Sequence, residues 1–152
     1  MATARWLTED EQQTWRAFVR MTHTVMGSLD RQLQRDARLP HGYYVLLVKL
    51  SEAPDRSIRM TELAETLSWS QSRMSHAVDR LVKDGHVVRR PCPTDRRGSF
   101  AILTDAGFET LQRAAPGHVD EVRRTMFDNL TPTEQRQLRR IAERIVAGAA
   151  ER

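Results

Sequence analysis

The sequence predicts a mainly α-helical chain with one small β element, and three observations lead to that fold class. Long amphipathic stretches opened by capping signatures stand at both ends. Two short helical stretches with helix-turn-helix spacing occupy the middle. Two β-prone runs, separated by a basic and turn-rich segment, follow them directly.

The first helix opens at Thr8-Glu9-Asp10-Glu11, a Thr cap with Glu three residues on. Trp15, Phe18, Val19, Thr22, Val25, Met26, Leu29 and Leu33 then recur at spacings of three and four, which predicts an amphipathic helix to about Asp36. At 1.5 Å per residue it is roughly 43 Å long, more than a small core can cover. A second helix near His41 to Glu52 is apolar at Tyr43, Tyr44, Val45, Leu46, Leu47, Val48 and Leu50, so it is expected to be central and buried. Ala53-Pro54-Asp55-Arg56-Ser57 ends it as a turn cluster.

Between Met60 and Leu81, Leu63 and Leu67 share one helix face, and small Ala64 sits where another helix must approach closely. Ser68-Trp69 form the turn, at a place where glycine is the commoner residue. Ser70 is an N-cap, and Met74, Ala77, Val78 and Leu81 give the second helix its inward stripe. Gln71, Ser72, Arg73, Ser75, His76, Asp79 and Arg80 are left facing outward. Hydroxyls, an amide and guanidinium groups suit base edges and phosphates in a major groove. The solvated face of two ordinary packed helices would carry a similar pattern.

Gly85 closes that helix, and His86–Arg90 and Ser99–Leu103 read as two short β segments. The loop Pro91–Gly98 lies between them, with Arg96 and Arg97 near its tip. A helix-turn-helix followed at once by a basic hairpin is a winged helix. Its second helix would enter the major groove, while Arg96 and Arg97 would reach the flanking minor groove, whose negative potential attracts guanidinium. Asp95 is better suited to orienting a guanidinium than to touching DNA.

Thr104 caps the next helix, whose apolar positions include Phe108, Leu111, Val119, Val122, Met126 and Phe127, and Pro116-Gly117 predicts a kink or break within it. Thr131-Pro132-Thr133-Glu134 is a second capping box ahead of a stripe of Leu138, Ile141, Ile145 and Val146. Terminal helices with one apolar face each must bury it, and a second copy of the chain is the natural partner.

The net charge of +4 on 152 residues says little until it is located. Residues 1–68 carry nine basic and nine acidic side chains, and residues 98–152 carry eight of each. Residues 69–97 hold seven basic (Arg73, Arg80, Lys83, Arg89, Arg90, Arg96, Arg97) against three acidic (Asp79, Asp84, Asp95). The whole excess therefore lies on the helix-turn-helix and hairpin, which fits a polyanion partner or a solvated charged face. The longest uncharged stretch is ten residues, Leu39 to Val48, too short for a transmembrane helix. Acidic residues 9–11 occupy the place where a signal peptide needs an apolar run, so a cytoplasmic protein is expected.

The run Asp95-Arg96-Arg97-Gly98-Ser99-Phe100-Ala101-Ile102-Leu103-Thr104-Asp105-Ala106-Gly107 resembles the wing signature of the MarR family of bacterial transcriptional regulators: D-x-R, a short strand, then L-T-x-x-G. The resemblance covers nearly the whole chain. It implies a single domain over 1–152, a winged helix-turn-helix lobe at 40–103 and dimerisation helices at 1–38 and 104–152. It also implies a homodimer on a pseudo-palindromic operator of double-stranded DNA, usually as a repressor. Half-sites would then lie about one helical turn, ~34–36 Å, apart.

By side-chain type, Gln71, Arg73, Ser75 and His76 are the candidates for base readout. Ser70, Ser72, Arg80, Arg89 and Arg90 are the candidates for phosphate positioning. The resemblance further implies release by a small aromatic anion, for which Trp15, Arg16, His23, His41, Tyr43 and Tyr44 are candidate pocket residues. Cys92, the one cysteine, lies near four arginines and could make the regulator redox-responsive, and a winged helix can also serve as a protein-interaction module. The five histidines show no ligand spacing, and no catalytic motif stands out, so neither a metal, a cofactor nor an enzyme is expected.

Overall fold

The computed structural model describes residues 4–92 and 95–150, with Arg96 and Arg97 described in their backbone alone. Among these residues the chain forms α1 (Glu9–Ala37), α2 (His41–Glu52), a 3-10 turn (Pro54–Arg56), β1 (Ser57–Arg59), α3 (Met60–Thr66), α4 (Gln71–Lys83), β2 (Val87–Cys92), β3 (Asp95–Leu103), α5 (Asp105–Thr125), a second 3-10 turn (Phe127–Asn129) and α6 (Pro132–Ala150). They divide into two compact units: Asp30–His118, and the flanking segments up to Leu29 and from Val119 on.

The central unit is built on leucine. Leu33, Leu46, Leu47, Leu50, Leu63, Met74, Val78, Leu81 and Val87 are fully buried in one cluster, which Leu111 and Ala114 also join. The end of α1 and the start of α5 thus belong to this core, beyond the 40–103 span expected from sequence. Each buried Leu contributes roughly 1.5–3 kcal/mol of transfer free energy. The all-round apolar pattern of α2 is explained by its buried Tyr44, Leu46, Leu47 and Leu50.

Local hydrogen bonds set the helix ends. At the end of α3, Ser68 N–H donates to Glu65 O at 2.9 Å and Trp69 N–H to Ala64 O at 2.8 Å, with Ser68 left-handed at φ 52°. This is the paired arrangement that normally selects glycine at the left-handed position, which Ser68 fills here. The end of α4 repeats it with Gly85 at φ 78°, Gly85 N–H reaching Val82 O at 3.0 Å and His86 N–H reaching Leu81 O at 2.9 Å. At the start of α5, Thr104 Oγ1 accepts from Gly107 N–H at 3.0 Å and donates to Gly85 O at 2.8 Å. A Cβ at Gly107 would stand 2.2 Å from His86 O, so the glycine of L-T-x-x-G is required by backbone approach.

The sheet has three antiparallel strands in the order β1-β3-β2, one more than the two β segments expected from sequence. Ser57 pairs with Ile102, Ile58 with Ala101 and Arg59 with Phe100, so the turn cluster leads straight into a strand. The wing strands also run farther than expected, to Cys92 on one side and from Asp95 on the other, with a register shift between Pro91 and Cys92. Backbone pairing thus continues through residues assigned to the loop, and Arg96 and Arg97 fall within β3 rather than at its tip. Pro91 is accommodated because β2 is an edge strand.

Of the kink or break expected at Pro116-Gly117, a break does not occur: α5 is continuous from Asp105 to Thr125 with Pro116 inside it. Leu111 and Ala114 anchor the preceding turns in the core, and a Cβ at Gly117 would stand 3.1 Å from Gln32 Nε2. Packing there outweighs the ladder hydrogen bond that proline removes.

In the flanking unit both capping boxes form. Thr8 N–H donates to Glu11 Oε2 at 2.7 Å and Glu11 N–H to Thr8 Oγ1 at 3.3 Å, while Thr131 and Glu134 do the same at 2.8 and 3.3 Å. Ser28 Oγ donates to the Glu121 carboxylate, which also pairs with Arg124 at 2.6 Å. Yet this unit leaves Trp6, Trp15, Phe18, Met21, Met26, Val119, Ile141, Ile145 and Val146 at 42–85% exposure, and α6 buries no side chain.

Candidate nucleic-acid interface

Two hydrogen-bonded turns, at Ser68 and Gly85, place α4. Behind it, Met74, Ala77, Val78 and Leu81 are buried, which fixes the roll of the helix. In front, Gln71, Ser72, Arg73, His76, Asp79 and Arg80 are exposed and Ser75 is half-buried, as the period of the sequence predicts. Ser70 is the N-cap: its Oγ accepts from Arg73 N–H at 3.2 Å. One lone pair of this candidate phosphate contact is therefore committed to the helix.

The first turn of α4 carries a cation stacked on an aromatic ring. Arg73 Cζ lies 4.0 Å from the centre of the Trp69 ring. The ring in turn lies against Gly42, where a Cβ would meet its Cζ2 at 3.1 Å and Cη2 at 3.2 Å. Together with Asp30, Tyr43 and His76 these residues border a cleft of about 440 Å³.

On the wing side, Arg89 of β2 is tied to α4. Its Nη1 donates to Asp79 Oδ1 at 3.2 Å and to Ser75 Oγ at 3.4 Å, and its Nε donates to Ser99 Oγ of β3 at 2.9 Å. A candidate phosphate contact and a candidate base reader thus share one network that joins helix to wing. Arg80 pairs with Asp84 at 3.0 Å one turn on and keeps 58% of its side chain exposed. Arg90 is exposed on β2. The expected minor-groove side chains of Arg96 and Arg97 lie outside the described residues.

Asp95 forms an ion pair with Arg59 of β1 at 3.5 Å, a partner on another strand. Arg59 Nη2 also donates to Cys92 Sγ at 3.0 Å, and Cys92 is buried. The thiol and the carboxylate hold the Arg59 pKa above its ordinary value. Sequence reasoning missed Arg59 because β1 itself carried no signal. The L-T-x-x-G run could have pointed to a strand partner, but not to which one.

The candidate ligand residues fall into two sets. Trp15, Arg16 and His23 are exposed on α1 in the flanking unit, Trp15 stacked on Phe18 at 5.9 Å and Arg16 bonded to Gln12 at 3.3 Å. His41, Tyr43 and Tyr44 begin α2 in the central unit. There the His118 ring stands 4.4 Å from Tyr44 and 5.6 Å from His41. Burial pushes both histidines below their ordinary pKa and Tyr44 above its own, while Asp30 partly offsets the shift at His41. Among the described residues no cluster of His, Cys, Asp and Glu could hold a metal, and no helix is long and apolar enough to cross a membrane.

Residues 39–98 match the profile of the MarR family. Sco3205, a MarR family transcriptional regulator from Streptomyces coelicolor crystallised in complex with DNA, is 54% identical, with 95% of this chain and 91% of that one aligned and a TM-score of 0.91. The HTH-type transcriptional regulator YkoM of Bacillus subtilis is 28% identical over 82% of this chain and 78% of its own length. The transcriptional repressor YetL of the same organism is 31% identical over 58% of this chain, which spans 53% of YetL. Because the identity to Sco3205 runs through the flanking helices as well as the central unit, this chain belongs to the MarR family of transcriptional regulators.

Proposed function

We propose that this chain is a cytoplasmic, sequence-specific regulator of transcription that binds double-stranded DNA as a homodimer and acts as a repressor. The observation that carries the reading is the concentration of its entire basic excess on residues 69–97, which form α4 and most of the hairpin braced to it. In this reading α4 enters the major groove, with Gln71, Arg73, Ser75 and His76 at base edges. Ser70, Ser72, Arg80, Arg89 and Arg90 meet phosphates, and Arg96 and Arg97 reach the minor groove. The uncovered apolar stripe of α6 and the exposed aromatics of α1 support a second copy as partner. The chain then acts by binding and not as an enzyme. Release by a small aromatic anion is supported most by Tyr43, which lines a cleft together with Arg73. A ligand there would take Arg73 away from DNA.

Selection of duplexes from a random pool by the purified chain tests the proposal. An enriched inverted repeat, its half-sites about 10 bp apart centre to centre, is expected. Recovery of unenriched sequences would overturn it.

A further inference from the structure

Gly42, Trp69 and Arg73 come from three different places in the chain and form one stack. Trp69 has little freedom: its N–H closes α3 on Ala64 O at 2.8 Å, and the next residue is the N-cap of α4. One part of its ring fills the space that a side chain at Gly42 would need, within 3.1–3.2 Å of the missing Cβ. Glycine is otherwise a poor residue for the first turn of a helix without a special backbone angle to adopt, and here close approach explains it. The ring also carries the Arg73 guanidinium at 4.0 Å. An arginine already held against an indole loses less rotamer entropy on meeting a second planar partner. Guanine offers such a partner through O6 and N7 in the major groove.

We propose that Trp69, seated on Gly42, is the positioning residue that aims Arg73 at a guanine edge, and that this stack sets specificity at one base pair in each half-site. The inference rests on the DNA-binding reading above and deepens it. A phosphate contact by Arg73 is the competing arrangement, and the two differ in what they do to specificity and to salt dependence.

The stack is read first without DNA. In the free chain, ring current shifts the Arg73 side-chain proton resonances upfield, and Trp69→Leu abolishes that shift; unshifted resonances in the wild type would overturn the stack itself. Binding to the selected operator and to duplexes with single G·C pairs replaced is then measured for wild type, Trp69→Leu, Trp69→Phe, Gly42→Ala, Arg73→Ala and the Trp69→Leu/Arg73→Ala double variant. Trp69→Leu is expected to lose about tenfold in operator affinity, from two stacks per dimer, and to lose discrimination at one base pair per half-site. Its salt slope stays that of the wild type, because no charge is removed. Arg73→Ala loses discrimination at the same base pair, and the double variant is no worse there than Arg73→Ala. Trp69→Phe keeps an aromatic face and most of the discrimination. Gly42→Ala leaves Trp69 in place but displaced, and loses discrimination even if Trp69→Leu proves too unstable to assay. Additive losses in the double variant, unchanged discrimination in Gly42→Ala, or a uniform loss in Arg73→Ala with a shallower salt slope would overturn the proposal. A wild-type chain that prefers no duplex would instead refute the DNA-binding reading, while the resonance shift still reports on the stack.

Discussion

Arg89 on β2 donates to Asp79 on α4 at 3.2 Å, so an acid on the outward face of the helix pairs with an arginine of the hairpin. The pair is open to solvent, with 40% and 60% of the two side chains exposed, and as a surface ion pair it contributes little to stability. Its consequence is geometric: it is a side-chain link between α4 and β2 outside the buried core.

Asp79→Asn therefore separates geometry from charge. If the outward face of α4 meets DNA as proposed, removing its acid strengthens non-specific binding a few-fold by electrostatics alone. Loosening the brace should weaken operator binding by about three- to tenfold. Titrations of operator and shuffled duplex at one salt concentration check it. A gain in affinity for both duplexes would mean that the brace does not orient the wing.

Gly107→Ala places a Cβ 2.2 Å from a backbone oxygen that Thr104 and the β2 entry hold in place. A loss of about 2–3 kcal/mol is expected, an overpacking cost with no flexible side chain to give way. Thermal denaturation should show Tm lower by about 4–12 °C. An unchanged Tm would contradict the close approach of His86 O.

The His41–His118 pair predicts a pH dependence of stability. Both have folded pKa values below the ordinary 6.5, chiefly through burial; His41 further disfavours charge on His118, while Asp30 partly offsets the shift at His41. The unfolded chain thus takes up protons first as pH falls, so stability is full above about 6.5 and declines below it until the folded histidines also protonate. Urea midpoints at pH 8, 6.5 and 5.5 should fall in that order. Asp36 and Glu134, whose pKa values are lowered mainly by hydrogen bonds from Gln32 and Thr131, add a separate loss only at more acidic pH, near and below about 4. A midpoint that rises from pH 8 to 5.5 would refute the buried neutral pair.

Ile145→Glu tests the second-copy reading. Ile145 is 62% exposed in the single chain, so the substitution spares the core. Sedimentation is expected to show a dimer for the wild type and a monomer for the variant, with dimer dissociation raised by about a hundredfold. Unchanged sedimentation would place the dimer contact elsewhere.

What the sequence made legible was local. Capping at Thr8, Ser70 and Thr131 and the Gly85 turn depend on neighbours within a few residues, and the stripe of α4 depends on period alone. The strand Ser57–Arg59 was hidden because three residues carry no alternation, and it exists only by pairing with β3 over forty positions away. The Arg59–Cys92–Asp95 cluster and the Arg89–Asp79 brace were hidden for the same reason, since each joins elements that only the sheet and core bring together. At Pro116 local propensity allowed a break that does not occur, because the adjacent turns are packed in the core. The outward face of α4 was readable from its period, but the approach of Arg73 to the Trp69 ring, and of that ring to Gly42, was not.

The central claim is that a braced α4 and wing read duplex sequence. Equilibrium binding of the purified chain to the selected operator and to a shuffled duplex, over a range of salt concentrations, tests it most directly. A preference of about 10³-fold or more for the operator is expected. Log K is expected to fall against log[salt] with a slope near −7, for roughly eight phosphates neutralised per dimer. Equal affinity for the two duplexes, or a flat salt response, would contradict that claim.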